Sequence, residues 1–298
     1  MFTIPRRQLA TVAVLTSAVL FGTTGTVLVN APAAADAASV GALRLLIGGA
    51  TLLAVAARRR SAMWAPWRLP LTALGAVGVA IFQLCYFLAV ERTGVAVGTV
   101  ATIGSGPVLS GVLHAIVDRR PPQRAWVVGT GVSIAGVALL GLAGREASVA
   151  PLGIALAICA GLGWAVFAMV GKHQIDAGID STASMAAMFS GGAVLLSPLL
   201  LSHSPAWVAH GSGVWIVLYL GVVTVGLAYT LYGVALRHLP APTVITLTLL
   251  EPITAAVLGA VVVHEGIRPA GWLGIAFVLA GLVLTARGES ADVDPLPL

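Results

Sequence analysis

Two prolines 145 residues apart, Pro107 and Pro252, constrain this chain more than any other feature. Each lies near the middle of a long apolar segment. The text around them agrees at the same offset: Arg92 with Arg237, Ala96 with Ala241, Val112 with Val257, Leu113 with Leu258, Val117 with Val262. The register continues through Ala125 and Ala270, Gly129 and Gly274, Ala135 and Ala280, Gly136 and Gly281, and Leu139 and Leu284. A proline inside a helix removes one backbone hydrogen bond and frees a carbonyl. In hydrocarbon such a defect persists only where protein or a polar cavity covers it. Paired interruptions in corresponding segments of two halves therefore point to a solute site between the halves.

That argument requires a membrane, and composition supplies it. Of 298 residues, 58% are hydrophobic and 9% charged, and mean hydropathy is +1.00. Soluble domains carry about 25% charged residues. The expected class is an all-α membrane protein with many spans. The net charge of +5 reflects arginines between spans, and no basic face with aromatic platforms suggests nucleic acid. Cys85 and Cys159 lie inside apolar segments and read as small buried hydrophobes. No disulfide framework, metal-ligand spacing or cofactor motif is present. The sequence contains no H-E-x-x-H, no P-loop and no G-x-S-x-G. Gly104-Ser105-Gly106 resembles the loops of intramembrane serine proteases, but Ile103 stands where a leading glycine is needed. With no nucleotide-binding element, uphill movement of a solute would draw on an ion or solute gradient.

Apolar runs of about 20 residues give ten expected spans: 9–30, 36–57, 69–91, 95–117 and 123–143, then 150–171, 183–201, 213–236, 241–263 and 269–286. They divide into a first five-helix repeat over 9–143 and a second over 150–286. An odd number per repeat inserts the second half inverted, so one pattern builds two half-sites. Residues 288–298 are polar and proline-containing, and are expected to form a disordered cytoplasmic tail. With the N-terminus inside, the inner segments hold 12 of the 16 Lys and Arg and the outer loops hold Arg92, Arg145 and Arg268. This bias places both termini in the cytoplasm. Arg6-Arg7, an apolar stretch and APAAADA imitate a secretory signal. The stretch is long for one, and its removal would break the pairing of spans, so the first span is expected to be retained.

Few residues in these spans carry chemistry. Glu251 precedes Pro252 near the middle of span nine, where a carboxylate costs about 2.5–3.5 kcal/mol on insertion scales. Two readings stay open for it: a helix lock, or a site for a substrate amine or a proton. The Thr248 carbonyl, one turn before Pro252, is expected to be free for a ligand. Arg44 is the one basic residue deep inside a span. It either ties helix ends together, binds a substrate carboxylate, or pairs with Glu251. Gln83 and Tyr86 in span three, Trp164 in span six, and Tyr229 and Tyr232 in span eight can stack on an organic solute while donating a hydrogen bond, or simply pack. Trp64, Trp67, Trp126, Trp207, Trp215 and Trp272 are expected at the membrane interfaces. His114 reads as a packing or interface residue, and Asp36 and Asn30 as helix caps. Gly94 and Gly98 form one weak G-x-x-x-G.

The stretches GALRLLIGG at 41–49, the Trp164 region and LLEPITAAVLGAVVVHEGIRPAGWLGIAFVLAGLVL at 249–284 resemble the drug/metabolite transporter superfamily, specifically its EamA-type ten-helix members. The resemblance covers residues 9 to about 286. It implies a secondary transporter with a central cavity and alternating access, akin to exporters of amino acids or similar metabolites. It puts Arg44 on the family's second-helix arginine and Glu265 on its helix-end glutamate. The first half departs from the pattern: its counterpart to Glu265 is Arg120, with Asp118 nearby, and Gly106 stands where the second half has Glu251. The implied partners are a small-molecule substrate, protons and membrane lipid. The rival readings are an intramembrane lipid-modifying enzyme and a lipid flippase.

Overall fold

The computed structural model describes residues 6–58, 63–119, 121–142, 150–262, 264 and 268–291. Ten helices follow one another in chain order. They are α1 Arg6–Leu28, α2 Ala37–Ala57, α3 Pro70–Gly94, α4 Val97–Val117 and α5 Arg124–Leu142, then α6 Pro151–Asp176, α7 Ser181–Ser202, α8 Gly213–Leu236, α9 Ala241–Val262 and α10 Pro269–Ala291. Nine of them are long and apolar enough to cross a membrane, and α5 is a slightly shorter apolar helix. The protein is an all-helical, multi-pass membrane protein. Glu265, Arg120 and residues 292–298 lie outside the described residues.

Local chemistry sets the helix ends. Asp36 caps α2, its carboxylate accepting from the Ala38 and Ser39 N–H groups at 3.1 and 3.0 Å. Asp180 caps α7 in the same way through Thr182 and Ala183. Pro70 and Pro151 open α3 and α6, where a missing N–H is harmless. Gly94 turns the chain from α3 into α4 at φ 79 and ψ 162, a backbone region essentially confined to glycine. Asn30 does not cap a helix through its side chain; its carbonyl accepts from the Ser212 hydroxyl at 2.6 Å.

The packing pattern is an inverted duplication. Helix α1 lies against α8 and α9, and α6 lies against α3 and α4; α2 meets α8 as α7 meets α3. The pairs α2–α7 and α5–α10 map onto themselves when the repeats are exchanged. Along α5–α10 a Cβ on Gly136 would sit 2.6 Å from the Gly274 carbonyl oxygen, and one on Gly274 would sit 2.7 Å from that of Gly136. Gly129 faces Gly281 reciprocally. Replacing each glycine by its repeat-mate turns one contact into the other, which requires antiparallel helices about a twofold between them.

Three expectations are corrected. Cys159 is exposed and Cys85 half-buried, because the outside of a membrane helix is itself apolar and a thiol is cheap there. Trp207 is 3% exposed and donates its indole N–H to the Ser39 hydroxyl at 2.9 Å, so it joins two loops instead of anchoring at an interface. Trp126 packs on Gly111 with its indole N–H buried. Trp64, Trp67, Trp215 and Trp272 are exposed. His114 Nδ1 pairs with the Asp118 carboxylate one turn on, at 2.5 Å.

Candidate functional site

Two interruptions of regular helix frame the middle of the bundle. In α9 the helix stops at Thr248–Leu249 and restarts at Leu250. Pro252 therefore occupies the first turn of a new segment, where proline is tolerated, and Glu251 stands at that segment's positive end. The expected free Thr248 carbonyl is not found: it accepts from the Glu251 N–H at 2.9 Å. In α4 the backbone stays helical through Pro107, so the two proline segments differ. The second interruption is in α8, where Tyr219–Leu227 is wound as a π-helix. Such turns recur at functional sites because the extra residue re-aims the side chains that follow. The Ser17 hydroxyl of α1 donates to the Ala228 carbonyl at the end of this stretch, at 2.9 Å.

Helix α1 presses on the same place. A Cβ on Gly22 would lie 2.7 Å from the Glu251 carbonyl oxygen, so glycine there lets α1 reach the broken helix. Across the pseudo-twofold, Trp164 covers Gly106: a Cβ on Gly106 would lie 2.7 Å from the indole. The first repeat thus has a glycine covered by an aromatic ring at the position where the second repeat has a carboxylate.

The structure brings most of the expected site residues together. The charges of Arg44 and Glu251 act on one another and on the hydroxyls of both Tyr86 and Tyr229. They form no ion pair with each other, and the Arg44 Nε is buried without a hydrogen-bond partner. Gln83, 4% exposed, keeps its Nε2 buried and unpartnered. Tyr86 bonds Thr99 across the α3–α4 corner at 3.0 Å. Buried polar groups normally find partners, and these two donors on α2 and α3 have none among the described residues.

An aromatic wall joins these groups. Tyr229 meets Phe189 at a centroid distance of 4.0 Å, Phe21 at 4.9 Å and Tyr232 at 5.6 Å. Phe167 meets Phe189 at 5.5 Å and Phe82 at 6.2 Å, and Phe82 meets Trp164 at 5.9 Å and Tyr86 at 6.3 Å. The Tyr232 hydroxyl is buried beside Trp164 without a geometrically acceptable hydrogen bond. Sequence reading missed Phe21, Phe82, Phe167 and Phe189. Phe167 lies one turn after Trp164 on the same helix face, which is the one signal that was available. A separate groove of about 660 Å³ runs between the ends of α1 and α8 past Thr26, Asn30, Trp215 and Tyr219, with no charged lining residue. It lies apart from Arg44 and Glu251.

Comparison with known proteins adds a family. A family model described as the EamA-like transporter family matches residues 8–142 and again 151–287. The chain is 36% identical over 271 residues, 91% of each protein, to the uncharacterized transporter YwfM of Bacillus subtilis. It is 28% identical over 258 residues to the threonine/homoserine exporter RhtA of Escherichia coli, covering 85% of this chain and 84% of that one. A solved crystal structure superposes with a TM-score of 0.82 at 21% identity, covering 96% of this chain and 99% of that one, which is a likeness of fold.

Proposed function

The chain belongs to the EamA-like transporter family, and from that premise we propose a secondary exporter of small zwitterionic metabolites, amino acids above all, working by alternating access to a central cavity. The observation that carries this reading is the arrangement of Arg44 and Glu251: opposite charges within each other's field that make no ion pair. A zwitterion supplies what both lack. Its carboxylate meets the guanidinium, which suits a planar two-oxygen partner, and its ammonium meets Glu251. The hydroxyls of Tyr86 and Tyr229 and the amide of Gln83 fix its orientation, and the face of Phe82 and Trp164 receives its side chain. A relative named as a threonine/homoserine exporter supports the substrate class and the direction. In the return step Glu251 carries a proton in place of the amine, which couples efflux to the proton gradient. The relatives are transporters, and we read this chain as a carrier and not an enzyme.

We place the protein in the cytoplasmic membrane with both termini inside. The arginine bias supports this. So does a cluster at one end of the bundle: burial, with the charges of Arg237, Arg6 and Lys172, holds the His238 ring below the usual histidine value. A reporter fused after Leu298 is expected to be active only in the cytoplasm.

The test of function is flux from proteoliposomes loaded with labelled amino acids. Glu251→Gln and Arg44→Gln each lower flux by at least about tenfold, as expected when a buried charge loses its partner, while the variants reach the membrane in normal amount. Wild-type flux in Glu251→Gln overturns the role of the carboxylate. Flux indifferent to an imposed pH gradient overturns proton coupling.

A further inference from the structure

Away from the charged middle, the two repeats are tied at the end opposite the Arg6, Lys172 and Arg237 cluster. The turn from α1 into α2 belongs to the first repeat, and the stretch from α7 to α8 belongs to the second. Asp36 Oδ1 lies 3.1 Å from His203 Nδ1. Beside it the Trp207 indole donates to Ser39 at 2.9 Å, Ser212 donates to the Asn30 carbonyl at 2.6 Å, and Tyr219 donates to Thr23 at 3.0 Å. Of these four ties one involves two ionisable side chains, and both are partly open to solvent, at 43% for His203 and 41% for Asp36.

We infer that the Asp36–His203 contact is a pH-sensitive latch that holds the two repeats together at this end of the molecule. Asp36 is well placed to be its fixed half. Its carboxylate is already held by the Ser39 hydroxyl at 2.7 Å and by two α2 N–H groups. Burial opposes its charge, but the Ser39 bonds, the His203 ring and the Ala38 N–H outweigh that and keep the Asp36 carboxyl below the usual aspartate value. It therefore stays ionised throughout the range in which imidazoles titrate. His203 is the moving half. With a protonated imidazole the contact is an ion pair between opposite charges, and the latch is tight; with a neutral imidazole it is a hydrogen bond to the carboxylate alone, and the latch is weaker. Among the described residues, His203 is the charge that acts on Asp36. Between Arg7 and Arg44 the chain has Asp36 as its one charged side chain, and from 197 to 212 it has His203 and His210. His210 Nδ1 contacts the Ala206 carbonyl at 3.0 Å, and Tyr219 bonds Thr23. An exposed pair of this kind shifts an equilibrium by no more than about fivefold. The latch is therefore a bias and not a lock, as a working carrier requires.

The idea rests on the alternating-access reading, in which this end must open and close. The experiment uses the full chain in nanodiscs, with Cys85 and Cys159 replaced by Ala and spin labels at Ala33 and Ala206, both exposed. Between about pH 8 and about pH 5.5 the short-distance population is expected to rise about two- to fivefold. In His203→Gln and in Asp36→Asn that rise disappears. Asparagine remains a good helix cap, so the second variant keeps α2 intact, and His203 is exposed enough for the first to fold. A distance distribution blind to pH in the unsubstituted pair overturns the latch, as does a pH response that survives in both variants. The readout needs no substrate. A pH-dependent distance without flux overturns the carrier reading alone, and flux with a pH-blind distance overturns the latch alone.

Discussion

At Gly22 the α1 backbone touches the carbonyl of Glu251, and any side chain there meets Thr254 and that carbonyl at once. Gly22→Leu is expected to cost about 1–3 kcal/mol, the usual price of overpacking, and to lower flux by moving Glu251. Gly25, three residues on, has nothing within 4 Å of a built Cβ; Gly25→Ala is expected to gain up to about 1 kcal/mol of helix stability. Thermal unfolding in detergent compares the two directly. Asp36 gives a second pair. Asp36→Ala costs about 0.5–2 kcal/mol for the lost cap, whereas Asp36→Asn keeps a cap of similar rank and removes the charge. Because its carboxyl titrates below the usual value when folded, its contribution is full above the unfolded aspartate value and disappears as pH falls through the folded one. The difference between wild type and Asp36→Asn should therefore shrink in strong acid. At this scale sequence reading was uneven for a physical reason. Glu251, Arg44 and Asp36 stand out because polar groups are costly among apolar neighbours. Phe21 and Phe189 do not, because an aromatic ring in an apolar helix has no contrast until its neighbours are known.

Among the helices the limits followed hydropathy closely. The span expected over 213–236 is α8 as observed, and that expected over 241–263 is α9 to within a residue. The irregularities inside them did not follow. Hydropathy cannot tell i→i+4 winding from i→i+5, so the π stretch Tyr219–Leu227 was invisible. Pro252 announced a break, but the break falls at Thr248–Leu249, because a proline is best housed in the first turn of the segment it begins. The glycine-to-glycine contact of α5 against α10 was legible as shared glycines at an offset of 145 residues. It was not legible as a contact, since repetition says which residues correspond and not which ones meet. Gly136→Leu is expected to push α5 from α10, because its side chain would enter the backbone of Gly274 and Val278. A loss of about 1–3 kcal/mol in detergent melting, with Gly131→Ala neutral or better because its site is open, would mark the seam as backbone-to-backbone.

For the molecule as a whole, the twofold pattern and its violations divide the work. Equivalent contacts such as α1–α8 and α6–α3 pack the two halves in the same way about the pseudo-twofold, the symmetry on which the proposed alternating access relies. The middle is not equivalent: Glu251 of the second repeat lies within the field of Arg44, while the corresponding position of the first repeat is Gly106, covered by Trp164. On the proposed reading, the halves tilt symmetrically around an asymmetric site. It follows that joining the halves at one end stops turnover without touching the charges. The Ser212 hydroxyl donates to the Asn30 backbone carbonyl at 2.6 Å, which keeps the two Cα atoms within about 7 Å, the upper limit for a disulfide. In a background with Cys85 and Cys159 replaced, Asn30→Cys with Ser212→Cys is expected to lose at least about tenfold in flux on oxidation and to recover it on reduction, while still binding a labelled amino acid from the opposite face. Only one access state remains, and transport needs both. Each single cysteine should transport normally under oxidant. Undiminished flux through a fully cross-linked pair would mean that this end never opens, and that the solute takes a path which does not pass between the repeats.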